Sequence, residues 1–152
     1  MSNETVNSLG LGQPLGNGDW AGWSRWTGPK PFEDLVGPFY AKRQDTGQMS
    51  CGCRAEPKNL NDSGTAHGGF LMTFAEHSLY LIAHDHLTTL GGVTISFSSE
   101  FLSPAPGGAR LISCGDVLKA GRDLHFIRGL VTADGDPVLN FSGVVKMLRP
   151  RK

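Results

Sequence analysis

The chain has 152 residues, enough for one compact domain with a real core and too few for a two-domain enzyme. Fourteen Lys and Arg balance fourteen Asp and Glu, and charged residues make up only 18%, so no basic face is available to grip a nucleic-acid backbone. Twenty-one glycines and nine prolines, spread without a period, fit many strands and turns and exclude collagen or a long-helix bundle.

Residues 1–30 are rich in Gly, Asn and Ser and read as a flexible extension, with 1–17 mobile. Within it Trp20, Trp23 and Trp26 stand three apart, which predicts a short helix begun at Asp19 and stopped by Gly28-Pro29. That segment is either a flap packed on the body or on a partner subunit, or a lid over an acyl pocket. Residues 31–40 predict a second short helix ended by Gly37-Pro38, and from there to residue 152 the chain reads as one domain.

Strands follow at 39–43 and 48–56, joined by the turn Asp45-Thr46-Gly47. Cys51-x-Cys53 has neither the redox C-x-x-C spacing nor that of half a zinc clip, so these thiols read as small apolar residues on one strand face; Cys114 leaves the count odd. A turn-rich loop at 57–64 precedes the one long helical candidate, 70–85, which opens after Gly68-Gly69. Beyond it Val93, Ile95, Phe97 and Phe101 alternate with Thr94, Ser96, Ser98 and Glu100, the pattern of a half-buried strand. Strands at 110–119 and 124–133 flank a hairpin at 120–123, and Asp134-Gly135 turns the chain into a last strand at 138–148. No apolar run approaches the ~18 to 20 residues a bilayer needs, and no leader pattern opens the chain, so a cytoplasmic, reduced protein with no membrane partner is expected.

The helix at 70–85 is apolar nearly all round, with Leu71, Phe74, Ala75, Leu81 and Ile82 on one side and Met72, Leu79, Tyr80 and Ala83 on another. A single sheet covers one side, so a second subunit is expected on the other. Glu76 shares the direction of Met72, Leu79, Tyr80 and Ala83. Burying a lone carboxylate costs several kcal/mol, so that position must be compensated or used. Upstream, Asn61 to Gly69 ends in two glycines where the first helical N–H groups lack partners, an opening in which a carbonyl oxygen can gain negative charge. Glu76 lies about two turns beyond that opening, too far for one helix to supply both groups to one carbonyl.

Asn61, Gly64, His67-Gly68-Gly69 and an acid nine residues after the histidine, with the strand at 92–101, Ser103-Pro104-Ala105 and Lys119-x-Gly121-Arg122, resemble the hot-dog-fold acyl-CoA thioesterases of the phenylacetic-acid-degradation type. The resemblance implies an α+β hot-dog fold, one long central helix wrapped by a curved antiparallel sheet. It implies Glu76 as nucleophile or as general base on water, and the Gly68 N–H as oxyanion donor. Asn61 and His67 would position the thioester or the attacking water, and Thr94 would supply a hydroxyl that holds this water. Gly69, Lys119 and Arg122 are substrate-binding candidates, the last two, with Arg128, facing the coenzyme A phosphates or serving only solubility. The basic tail, Arg149, Arg151 and Lys152, reads as a solvated end. His77 and His84 share a stripe but lack a convincing third ligand, so no metal is expected, and no cofactor beyond the coenzyme A of the substrate.

The leading expectation is thus a homodimeric or homotetrameric thioesterase that hydrolyses an acyl- or aroyl-CoA at a site shared by two subunits. A hot-dog dehydratase or hydratase acting on a 3-hydroxyacyl thioester, and a non-catalytic binding module for acyl thioesters or lipids, are the alternatives.

Overall fold

The computed structural model describes residues 10–88 and 90–150. Helix α1 (Pro31–Val36) is followed by strands β1 (Tyr40–Arg43) and β2 (Met49–Arg54), the long helix α2 (Gly68–Ile82), and strands β3 (Gly92–Phe101), β4 (Arg110–Ala120), β5 (Leu124–Ala133) and β6 (Asp136–Met147). All six strands form one antiparallel sheet in the order β1-β2-β4-β5-β6-β3. The tight turn before β6 forms because Asp134 and Gly135 both take positive φ, 48° and 95°. Because β3 crosses to the far side after α2, β1 and β3 become the two edges.

Helix α2 packs against β2 through β6, the central-helix arrangement implied by the sequence. Phe74, Leu79, Leu111, Ile127 and Phe141 are fully buried between helix and sheet. Each contributes about 1.5–3 kcal/mol relative to exposure. Gly143 on β6 makes room for the helix, since a Cβ there would lie 2.4 Å from the Leu79 side chain. Cys51 and Cys53 face this core, as expected for small apolar residues, and burial pushes the Cys51 thiol up to about 12. Leu79 and Ala83 are buried by the chain's own sheet, so the face of α2 left for a partner is narrower than the apolar pattern suggests: Met72 is exposed, and Glu76 and Tyr80 are half-buried.

Three expectations need correction. Helix α2 begins at Gly68, not 70, and gives way after Ile82 to a 3-10 turn, His84–His86. In β3 a bulge between Thr94 and Ser96 reverses the alternation. Thr94 and Phe97 therefore face α2 and Phe141, while Val93 and Ile95 point away from them, 44% and 54% exposed.

The third concerns the N-terminal segment. Residues 1–9 lie outside the described residues. Residues 10–15 are held: Gly12 and Leu15 donate to the carbonyls of Arg25 and Trp23, each at 2.8 Å. No helix carries the tryptophans; turns and isolated bridges do. Ser24 and Ala41 exchange backbone bonds of 2.9 Å, which fastens the segment along the β1 edge. Trp20 and Trp23 then cover the outer face of β2 above Gly52, where a Cβ would sit 2.4 Å from the Trp20 ring. Trp20 also stacks on Tyr40 at 4.6 Å and under the Arg110 guanidinium at 4.2 Å. Trp26 instead reaches the helix side and meets His77 edge-on at 4.6 Å. The spacing of three thus straddles an edge strand; it does not mark one face of a helix.

Candidate active site

The corner before α2 is built by short-range hydrogen bonds. Asn61 Oδ1 accepts from the Ser63 and Thr65 amides at 3.0 and 3.1 Å, and its Nδ2 donates to Thr65 Oγ1 at 3.0 Å. Its carboxamide is thereby engaged inside the loop that shapes the corner. His67 caps the helix: its backbone is extended, and its Nδ1 accepts the Gly69 N–H at 2.9 Å. An accepting Nδ1 carries no proton. The Gly69 N–H is therefore committed to the cap, whereas among the described residues nothing accepts from the Gly68 N–H, at the positive end of the helix. Both glycines answer a demand for space. A Cβ on Gly68 would come within 3.2 Å of the Phe101 ring, and one on Gly69 within 3.1 Å of His67 Nδ1.

Two turns further on, Thr94 Oγ1 donates to Glu76 Oε1 at 2.5 Å, and Tyr80 OH lies 2.9 Å from the same Thr94 oxygen. A hydroxyl has one proton, and the carboxylate receives it, so Tyr80 is the donor to Thr94. Glu76 Oε2 has no partner among the described residues. Thr94 thus grips the carboxylate itself. Tyr80 was not among the residues singled out from the sequence, although it stands four residues after Glu76, one turn along the same face. Burial, joined by the charge of Glu76, pushes its phenol up, which keeps it protonated as a donor.

The two halves do not meet within one chain. Gly68 and Glu76 are eight residues apart on one helix, about 12 Å along its axis. Lys119 and Arg122 sit elsewhere, exposed at the end of β4 and in the β4–β5 hairpin, where the Arg122 carbonyl accepts from Arg149 at 2.8 Å. Arg128 is half-engaged with Asp116 at 3.7 Å.

A cavity of about 770 Å³ runs along the C-terminal half of α2, lined by His77, Tyr80, Leu81 and His84 and walled by Trp26 and Leu87. Tyr80 borders it and also bonds to Thr94, so the cavity adjoins the carboxylate network. His77 is buried there between Trp26 and Phe39, with Nδ1 3.5 Å from Glu33; burial drives its imidazole down to about 4, partly offset by the Glu33 charge. His84 Nδ1 pairs with Asp85 at 2.6 Å, and the Arg43 guanidinium, with His84, holds the Asp85 carboxyl well below the usual range.

Comparison with known proteins agrees with this architecture. The family model described as "Thioesterase superfamily" matches residues 63–139, which span the corner, α2 and the strands through the start of β6. A Pseudomonas aeruginosa protein provisionally named an esterase is 31% identical over 115 residues, 75% of this chain and 86% of that one. Human acyl-coenzyme A thioesterase 13 is 26% identical over 100 residues, 66% of this chain and 71% of the human one. A mutant of the phenylacetic acid degradation protein PaaI from Thermus thermophilus superposes with a TM-score of 0.68 at 25% identity, covering 78% of this chain and all of that one. The sheet wrapped around α2 is the hot-dog fold, and the chain belongs to the thioesterase superfamily.

Proposed function

We propose that this protein hydrolyses an acyl-CoA or aroyl-CoA thioester to the free acid and coenzyme A, at a site completed by a second copy of the chain. The observation that carries the reading is the Glu76 carboxylate, the only acidic side chain of α2, tied at Oε1 alone, so that Oε2 is free for chemistry. Solved relatives whose titles name bound coenzyme A, from Streptococcus pneumoniae and Bacillus halodurans, share the fold, and the human relative is named an acyl-coenzyme A thioesterase.

The substrate carbonyl sits against the Gly68 N–H of one copy and beside Glu76 of the other. Either Glu76 takes a proton from water, whose oxygen attacks the carbonyl carbon, or Glu76 Oε2 attacks directly, and loss of the thiolate then leaves an anhydride that water cleaves. In both routes the carbonyl oxygen becomes an oxyanion, and a donor such as the Gly68 N–H typically lowers the barrier by roughly 2.7–4 kcal/mol. In both routes the C–S bond breaks as the oxyanion collapses; thiols are far more acidic than alcohols, the cysteine thiol at ~8.5, so the thiolate is a good leaving group. His67 and Asn61 hold the corner in shape, and Lys119 and Arg122 face the phosphates of coenzyme A.

The test is thiol release from a panel of acyl-CoA esters. Wild type turns over at least one of them, and Glu76→Gln lowers kcat by about a thousandfold with the fold intact, the middle of the range for a positioned acid or base. Hydration of a crotonyl thioester without thiol release, or binding without turnover across the panel, would replace this reading with the dehydratase or the binding module.

A further inference from the structure

We infer that Tyr80 is a positioning and specificity-determining residue of this site: its hydroxyl fixes Thr94 against Glu76, and its ring forms the wall past which the acyl group enters the adjoining cavity. The inference rests on the proposed thioester hydrolysis and deepens it by assigning the place of the acyl group.

The Thr94 hydroxyl can turn about its C–O bond, and its single proton must choose a direction. With Tyr80 donating into Thr94 Oγ1 at 2.9 Å, that oxygen keeps its proton for Glu76 Oε1 at 2.5 Å. Donors in series strengthen one another in a partly buried setting. Oε1 is pinned by Thr94, and Oε2 keeps a fixed bearing toward the reacting carbon. Tyr80 makes and breaks no covalent bond; it keeps its proton throughout and acts on the reaction only through Thr94.

Glu76 and Tyr80 lie one turn apart on α2, and Tyr80 with His77, Leu81 and His84 forms the helical side of the 770 Å³ cavity. That volume lies within the usual ~300–1,000 Å³ of small-molecule pockets. An acyl chain whose carbonyl stands at Glu76 and which runs toward the C-terminal end of α2 must cross the Tyr80 ring to enter it. The opposite wall comes from Trp26, Lys30 and Glu33, all before the segment that the family model matches. The N-terminal segment of this chain therefore shapes the acyl pocket.

A double-mutant cycle with Thr94 tests the inference, read as kcat and KM on thioesters of increasing acyl length. Tyr80→Phe keeps the ring and lowers kcat about tenfold at every length, the effect of one lost hydrogen bond, with KM nearly unchanged. In a Thr94→Val background the same change has no further effect on kcat, whereas in Thr94→Ser, which retains a hydroxyl, the tenfold loss returns. Tyr80→Ala also raises KM, and only for acyl groups long enough to reach the cavity. Equal losses in the wild-type and Thr94→Val backgrounds, or an unchanged kcat in Tyr80→Phe, overturn the positioning role; a KM rise in Tyr80→Ala independent of acyl length overturns the acyl path. Absence of thiol release by wild type would instead remove the thioesterase reading itself, so the two failures are distinct.

Discussion

The two edges of the sheet are treated in opposite ways. At the β1 edge the chain closes itself: Ser24 pairs with Ala41, Trp20 and Trp23 lie across the outer face, and Asp19 ties back to Arg54 at 3.0 Å. The β3 edge runs for ten residues, and among the described residues no strand pairs with its outer side. A long edge with Val93 and Ile95 exposed is one that soluble proteins normally cover. The candidate chemistry lies at this second edge, since Thr94 on β3 holds Glu76, and Phe101 at the end of β3 lies over Gly68. One edge serves stability and the other supports the proposed shared site.

If that division is right, changes at the two edges give different phenotypes. Placing charges on the open edge, with Val93→Lys and Ile95→Asp together, is expected to abolish thiol release and shift the protein to monomers in sedimentation, while thermal melting of the chain stays close to wild type. Retention of full activity by a monomer would remove the two-copy site. At the closed edge, Trp20→Ala empties the space above Gly52 and is expected to cost about 3–5 kcal/mol in denaturant unfolding, with kcat per folded molecule unchanged. A large fall in kcat with little change in stability would contradict the division.

The fold was legible because the strand and helix signals were local. The hairpin at 120–123 that separates β4 from β5, the Asp134-Gly135 turn before β6 and the proline-free run of α2 each require only neighbours in sequence to be read. The facing of β3 was not, because one bulged residue reverses every later side chain and leaves no mark in residue type. The tryptophan segment misled for a related reason: a period of three suits a helix, yet its cause is a strap folding around an edge strand, a long-range arrangement. Within the candidate site, Glu76 and Gly68 stood out through burial and helix position, and Thr94 through resemblance. Tyr80 did not, since an aromatic one turn from Glu76 on an apolar helix is indistinguishable from core until its hydroxyl finds Thr94.

The smallest expected effect concerns acid, and it separates the packing of the N-terminal segment from the carboxylate network. His77 is enclosed by Trp26 from that segment and by Phe39, and burial lowers its imidazole from the ordinary 6.5 to about 4. Above the ordinary value both folded and unfolded chains hold it neutral, and no stability is lost. Between the two values the unfolded chain binds the proton and the folded chain does not, so stability falls as pH falls through that window. The full loss is at most about 3 to 4 kcal/mol, at roughly 1.4 kcal/mol per unit. Glu33, 3.5 Å from Nδ1, reduces it, because its negative charge favours the protonated ring, and Lys30 opposes Glu33. Unfolding measured by urea from pH 7 to pH 4 should therefore show a slope in wild type that His77→Phe flattens, with the aromatic replacement still packed against Trp26. An identical slope in both proteins would mean that the ring is solvated and that Trp26 does not seal the cavity over it.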